Sequence, residues 1–164
     1  MNRERYANMI DYIRRHDAFR KLWVVLDHLL TSIVYTAFFV MLVLLVYGKD
    51  LRIYRVLIVC GVSFVLVSVF RYLYNAPRPY TMYGFQPIIK KEKEGQSMPS
   101  RHVFSAFIIA VAVMWISPIY SIPMYVVALV LAVHRVLIGV HFIKDVLVGA
   151  VIGILLGLIG FFVI

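Results

Sequence analysis

The chain has 164 residues, 63% of them hydrophobic and 15% charged, with a mean hydropathy of +0.90. Soluble domains sit nearer half apolar and a quarter charged, so a water-soluble globule is excluded. Seventeen Lys and Arg against 8 Asp and Glu leave a net charge of +9, a surplus that must face nucleic acid, lipid headgroups or an anionic substrate.

Residues 1–26 open the chain with Tyr6, Met9, Ile10 and Ile13 at helical spacing, while Arg3, Arg5, Arg14, Arg15, Arg20 and Lys21 occupy much of the rest. This is the pattern of an amphipathic interfacial helix in the headgroup layer, with a cap on the bundle as its other use. Residues 29–48 then form an uncharged run long enough to cross the hydrocarbon. Residues 53–74 make a second span, with Arg55 and Arg71 near its ends. Cys60, in this run, is the only cysteine and reads as a packing residue; one thiol builds no disulfide framework. A polar, basic loop follows over 75–99, and its KKEKE run (90–94) reads as solvated.

Residues 103–133 hold no charge and no histidine. One helix of that length would measure about 46 Å against a hydrocarbon core of roughly 30 Å. Pro118 and Pro123 in SPIYSIP supply a break, giving two spans near 102–117 and 124–140. Residues 146–164 make the last span. Its Gly149, Gly153 and Gly157 recur every four residues, which lets helix backbones approach closely, within the bundle or as the seam of a homodimer. The expectation is one all-α membrane domain over 1–164: a polytopic bundle of about five transmembrane helices (27–164) plus the amphipathic segment.

Because spans alternate direction, the end of span two, the start of span three, the end of span four and the start of span five share one membrane face. Those junctions carry Arg71 and Arg78; Ser100, Arg101 and His102; His134 and Arg135; and His141 and Asp145. Fourteen of the 17 cations fall on that side, and only Lys49, Arg52 and Arg55 fall opposite. Ionisable residues at membrane depth are costly and are functional candidates by default.

Pro77 and Pro79 end the helix between Arg71 and Arg78, so the second guanidinium can fold back toward the first, and two such groups suit a shared phosphate. Ser100 stands where it can cap span three, beside backbone N–H groups that form an anion site. His102 faces the same anion as a general acid, and Arg135 adds a third cation. His141 and Asp145, four apart, share a helical face. The carboxylate can accept the Nδ1–H and leave Nε2 as nucleophile or base, although spacing alone does not say which histidine attacks. The same His and Asp residues could ligate zinc, but several arginines around a dication would repel it, so the reading is an anionic phosphate, with no metal and no cofactor.

These residues resemble the type-2 phosphatidic acid phosphatases, kin to glucose-6-phosphatase and the vanadium haloperoxidases, whose motifs are K-x6-R-P, P-S-G-H and S-R-x5-H-x3-D. The chain reads Arg71-x6-Arg78-Pro79, then Pro99-Ser100-Arg101-His102, then His134-Arg135-x5-His141-x3-Asp145. The resemblance implies metal-independent hydrolysis of a lipid phosphomonoester or diphosphate. His141 would form a phosphohistidine, oriented by Asp145, while His102 protonates the leaving oxygen. Arg71, Arg78, Arg135 and Ser100 would hold the phosphoryl oxygens. Three positions depart from the pattern: Arg71 replaces lysine, Arg101 replaces glycine and His134 replaces serine. Arg101 adds a cation that suits a diphosphate. Undecaprenyl diphosphate, phosphatidylglycerophosphate and phosphatidic acid are the implied substrates.

A non-catalytic lipid-phosphate-binding membrane protein is the alternative reading. Nucleic-acid binding is disfavoured because the cations adjoin apolar spans. The expected partners are therefore the bilayer and a lipid phosphate. The charge asymmetry would put the basic face in the cytoplasm, whereas the family resemblance tips the multi-pass cell-membrane protein toward an extracytoplasmic site.

Overall fold

The computed structural model describes residues 3–89 and 94–164. Most of the KKEKE run (90–93) lies outside them, as do the side chains of Arg3 and Arg5. Among the described residues, seven α-helices follow in order: α1 (Arg3–Arg15), α2 (Asp17–Tyr47), α3 (Arg52–Tyr74), α4 (Pro79–Tyr83), α5 (Arg101–Ile116), α6 (Pro118–Leu137) and α7 (Ile143–Leu158). A π-helical turn, Ile159–Val163, continues α7.

The core is built around α5, whose residues from Val103 to Val113 are all buried. At 16 residues it is about 24 Å long, shorter than the hydrocarbon thickness. It is shielded by α3, α6 and α7, with α2 behind. Those outer helices turn Phe39, Val43, Leu44, Leu66, Leu129 and Leu147 outward, an apolar mantle that a bilayer covers. Among the described residues, four helices are long and apolar enough to cross a membrane, and α5 is a shorter apolar one. The expected all-α membrane bundle is therefore what the chain forms.

Two boundaries and one contact differ from the sequence reading. The amphipathic segment does not end near residue 26: His16 separates α1 from α2, and α2 runs unbroken through 31 residues. The apolar stripe of α1 also lies against protein. Tyr6 and Ile10 are buried with Ile88, Ile138 and Val140, and the Tyr6 hydroxyl donates to the Val136 carbonyl at 2.5 Å. Burial pushes the Tyr6 phenol well above its usual range, so it stays a donor. Finally, the proline pair does not open a loop. Only Ser117 separates α5 from α6, because Pro118 sits in the first turn, where a missing N–H costs nothing.

The glycine ridge of α7 lies on α5. A Cβ at Gly149 would stand 2.8 Å from the Ser100 carbonyl oxygen, one at Gly153 would stand 2.7 Å from that of Phe104, and one at Gly157 would meet Val111 at 2.9 Å. The homodimer seam considered for these three glycines is therefore closed: α5 occupies the face inside the monomer. The same contact fixes the start of α5 against the start of α7, where the candidate residues lie. Gly153→Val should lower thermal stability in detergent by about 2–3 kcal/mol through overpacking. Gly61→Ala, with nothing within 4 Å of the added carbon, should be neutral or slightly stabilising; equal melting temperatures for the two variants would contradict this packing.

Candidate active site

The loop before α5 is pinned from three sides. α3 ends at Tyr74 with Asn75 in the left-handed region (φ 41°), as the downstream prolines predict. The Ser97 N–H donates to the Ala76 carbonyl at 2.9 Å. Arg71, buried at the end of α3, donates its terminal nitrogens to the carbonyls of Gln96 and Pro99. Arg78 donates from Nε to the Gly95 carbonyl at 2.9 Å. Both arginines thus brace the strip of backbone that leads into Ser100, a role the spacing argument did not anticipate.

Ser100 occupies the N-cap of α5, but its side chain makes no capping bond. Its N–H donates to the Asp145 carbonyl at 2.9 Å, while its hydroxyl is buried without a partner. The cap expected of the side chain is thus absent, and the hydroxyl is left for another acceptor or donor. His102 is half-buried in the first turn. Arg101 is exposed, with its guanidinium carbon 5.4 Å from the centre of the Phe64 ring.

His141 and Asp145 meet for a different reason than a shared helical face. His141 precedes α7, Phe142 is its N-cap, and Asp145 is the third helical residue, whose carboxylate accepts from the Phe142 N–H at 2.9 Å. This reach back to the N-cap brings Asp145 Oδ2 to 3.7 Å from His141 Nδ1. The same oxygen accepts from the Ser97 hydroxyl at 2.5 Å, and that hydroxyl is 3.4 Å from Nδ1. Ser97 was missed in the sequence reading. It lies 48 positions from Asp145, in a loop without periodicity, and only its fully buried place beside the second motif marks it.

His141 is 3% exposed and Asp145 fully buried. Burial, aided by the cations of Arg78 and Arg71 and opposed by Asp145, pushes the His141 imidazole down to about 4. The ring is therefore neutral at pH 7, with Nδ1 facing the carboxylate and hydroxyl and Nε2 as the nitrogen turned from them. A cleft of about 350 Å³ opens beside it, lined by Tyr6 of α1, Met82, Tyr83, Val136 and Lys144.

Arg135 and His134, buried at the end of α6, do not lean on this cluster. They meet Asp27 and Thr31 of α2, two residues outside the sequence motifs. Asp27 shares the N-terminal part of α2 with Asp17, Arg20, Lys21 and His28, so sequence alone did not set it apart. Among the described residues, no three His, Cys, Asp or Glu side chains gather into a set that could hold a metal ion.

The family model for the PAP2 superfamily matches residues 52–163. The chain belongs to that superfamily. LpxE of Aquifex aeolicus shares the fold, with a TM-score of 0.73 at 24% identity over 97% of this chain and 93% of that one. So does a PAP2-type phosphatidylglycerolphosphate phosphatase of Bacillus subtilis, with a TM-score of 0.70 at 24% identity over 96% of this chain and 83% of that one. No curated protein matches in sequence. As a PAP2 superfamily member with four membrane-length helices among the described residues, the chain is a multi-pass membrane protein. The match begins at residue 52, so α1 and α2 lie before it.

NMR titration of the His141 ring should find its midpoint well below 6.5. Arg78→Ala should raise that midpoint, because removing a nearby cation favours the imidazolium; an unshifted midpoint would contradict the arrangement.

Proposed function

We propose that the protein is a metal-independent lipid phosphatase that works through a phosphohistidine on His141. The observation that carries this is the buried, neutral imidazole, held at Nδ1 by Asp145 and Ser97 and flanked by Arg71 and Arg78. The lone pair on Nε2 attacks phosphorus, and the bond from phosphorus to the leaving oxygen breaks. His102 gives that oxygen its proton. Water, relieved of a proton by the same His102, then cleaves the phosphorus–nitrogen bond and releases phosphate. Little covalent work falls to the protein beyond the nucleophile. The rate comes from positioning and from cations on the equatorial oxygens, supplied by Arg78, Arg71 and Arg135 with the Ser100 hydroxyl and the first N–H groups of α5.

The lipid substrate is supported by a groove of about 320 Å³ between α2, α3 and α5, lined by Phe38, Leu57, Phe64 and Ile108 and reaching Phe104 and Ser105 in the first turns of α5. A tail lying there sets its headgroup toward Ser100, and Arg101, seated on Phe64, stands over the groove. Phosphatidic acid, phosphatidylglycerophosphate and undecaprenyl diphosphate all fit this chemistry, and Arg101 favours the diphosphate. The membrane is the cell membrane with the site extracytoplasmic, an orientation that cysteine-accessibility labelling of the loop after Pro79 tests.

The detergent-solubilised protein should release phosphate from a panel of these lipids with chelator present. His141→Ala should lose at least about 10³-fold in kcat, as removal of a nucleophile does. Activity that survives this substitution would refute the mechanism, chelator-sensitive activity would refute metal independence, and headgroup binding without turnover would favour a non-catalytic lipid-binding protein. Arg101→Gly should reduce the preference for diphosphate over monophosphate, and an unchanged ratio would remove that role.

A further inference from the structure

Asp27 lies in the membrane-length helix α2, 5% exposed. A buried carboxylate in such a helix is costly and needs partners. Its Oδ1 is 3.4 Å from Arg135 Nη1 and also 3.4 Å from His134 Nε2. One helical turn on, the Thr31 hydroxyl accepts from Arg135 Nη2 at 3.0 Å. Thr31 thus hydrogen-bonds one end of the guanidinium and Asp27 pairs with it by charge, while Arg135 Nε, Asp27 Oδ1 and His134 Nε2 are buried without hydrogen-bond partners. His134 is held in turn by Trp23 of α2, stacked 5.2 Å away at 20°. Arg135 and His134 are the groups paired with this carboxylate. Val136, the neighbour of Arg135, lines the cleft beside His141, so the cluster borders the candidate site.

We propose that Asp27, with Thr31, is a positioning residue that fixes the Arg135 guanidinium for the phosphoryl group, and that His134 is the second partner that keeps Asp27 satisfied when Arg135 engages an anion. A guanidinium on a long, mobile stem loses rotamer entropy when it binds phosphate. Holding it beforehand removes that cost, and a misplacement of an ångström forfeits much of the gain. The proposal also accounts for the histidine that stands where the family motif has serine: His134 and Asp27 belong to one arrangement, contributed by α6 and by an α2 that precedes the family match. The assignment rests on the proposed phosphate chemistry of the site, but its test does not require turnover.

Inorganic phosphate binding to the full-length protein in detergent, by calorimetry, should weaken about tenfold in both Asp27→Asn and Arg135→Ala, a loss in the range seen when a positioning contact is removed. Adding Asp27→Asn to Arg135→Ala should cost nothing further, since coupled residues are not additive. Asp27→Glu should restore part of the loss. With lipid substrate, the kcat/KM of Asp27→Asn should fall by the same factor, with the same non-additivity. Thr31→Val, which removes one hydrogen bond and no charge, should show a smaller loss of the same kind and stands in if Asp27→Asn does not fold. Phosphate binding in Asp27→Asn that equals or exceeds the wild type would mark Asp27 as a mere counter-charge and overturn the proposal. So would an undiminished effect of Asp27→Asn in the Arg135→Ala background. A protein inert on every lipid but with the expected binding pattern would refute the proposed reaction while supporting the role of Asp27.

Discussion

The carboxylate of Asp145 is the joint on which the site depends. One of its oxygens accepts from the Phe142 N–H, closing the start of α7, and from the Ser97 hydroxyl, tying in the loop before α5. The same oxygen faces His141 Nδ1, and the residue's own carbonyl receives the Ser100 N–H. Three stretches of chain, near 97–100, 141–142 and 145, are thus held by one buried residue. Such a group is expensive to bury; here Oδ2 carries all the contacts, while Oδ1 is buried without a hydrogen-bond partner. The Oδ2 contacts occupy the Nδ1 side of the His141 ring and leave Nε2 turned away from them.

Burial explains how that joint can sit at the end of membrane-spanning helices. The loop over 94–100 is irregular backbone, which hydrocarbon does not tolerate unless protein covers it. Its carbonyls are taken up by Arg71 and Arg78, so these cations satisfy backbone as well as supplying positive charge. The short α5 places its N-terminus inside the bundle, and the glycine ridge of α7 lets the two helices meet closely enough for the Ser100 and Asp145 backbones to bond. The same packing leaves the outward faces of α2, α3, α6 and α7 apolar, and the same burial keeps His141 neutral.

Much of this was legible in the sequence, because membrane spans are written in runs of apolar residues and because alternation of span direction assigns junctions to faces. The helix end after Tyr74, the convergence of His102, His141 and Asp145 on one face, and the glycine ridge all followed from spacing. What spacing could not supply was contact across long separations. Ser97 to Asp145 and Thr31 to Arg135 join parts of the chain that no periodicity links. The approach of His141 to Asp145 had the right partners but the wrong geometry, an N-cap reach in place of a helical face. Arg71 was recognised as a cation near the site, while its grip on the loop carbonyls depended on a turn that sequence does not specify. Asp27 left little trace, because it sits among Asp17, Arg20, Lys21 and His28 in the N-terminal part of α2.

The central claim is that His141 Nε2 takes the phosphoryl group, and covalent trapping tests it most directly. Protein mixed with a radiolabelled lipid phosphate and quenched rapidly into alkali should carry alkali-stable, acid-labile phosphate. Peptide mapping should place it on His141, and His141→Ala should carry none. Label on another residue, or rapid turnover with no phosphoenzyme at any quench time, would contradict the account.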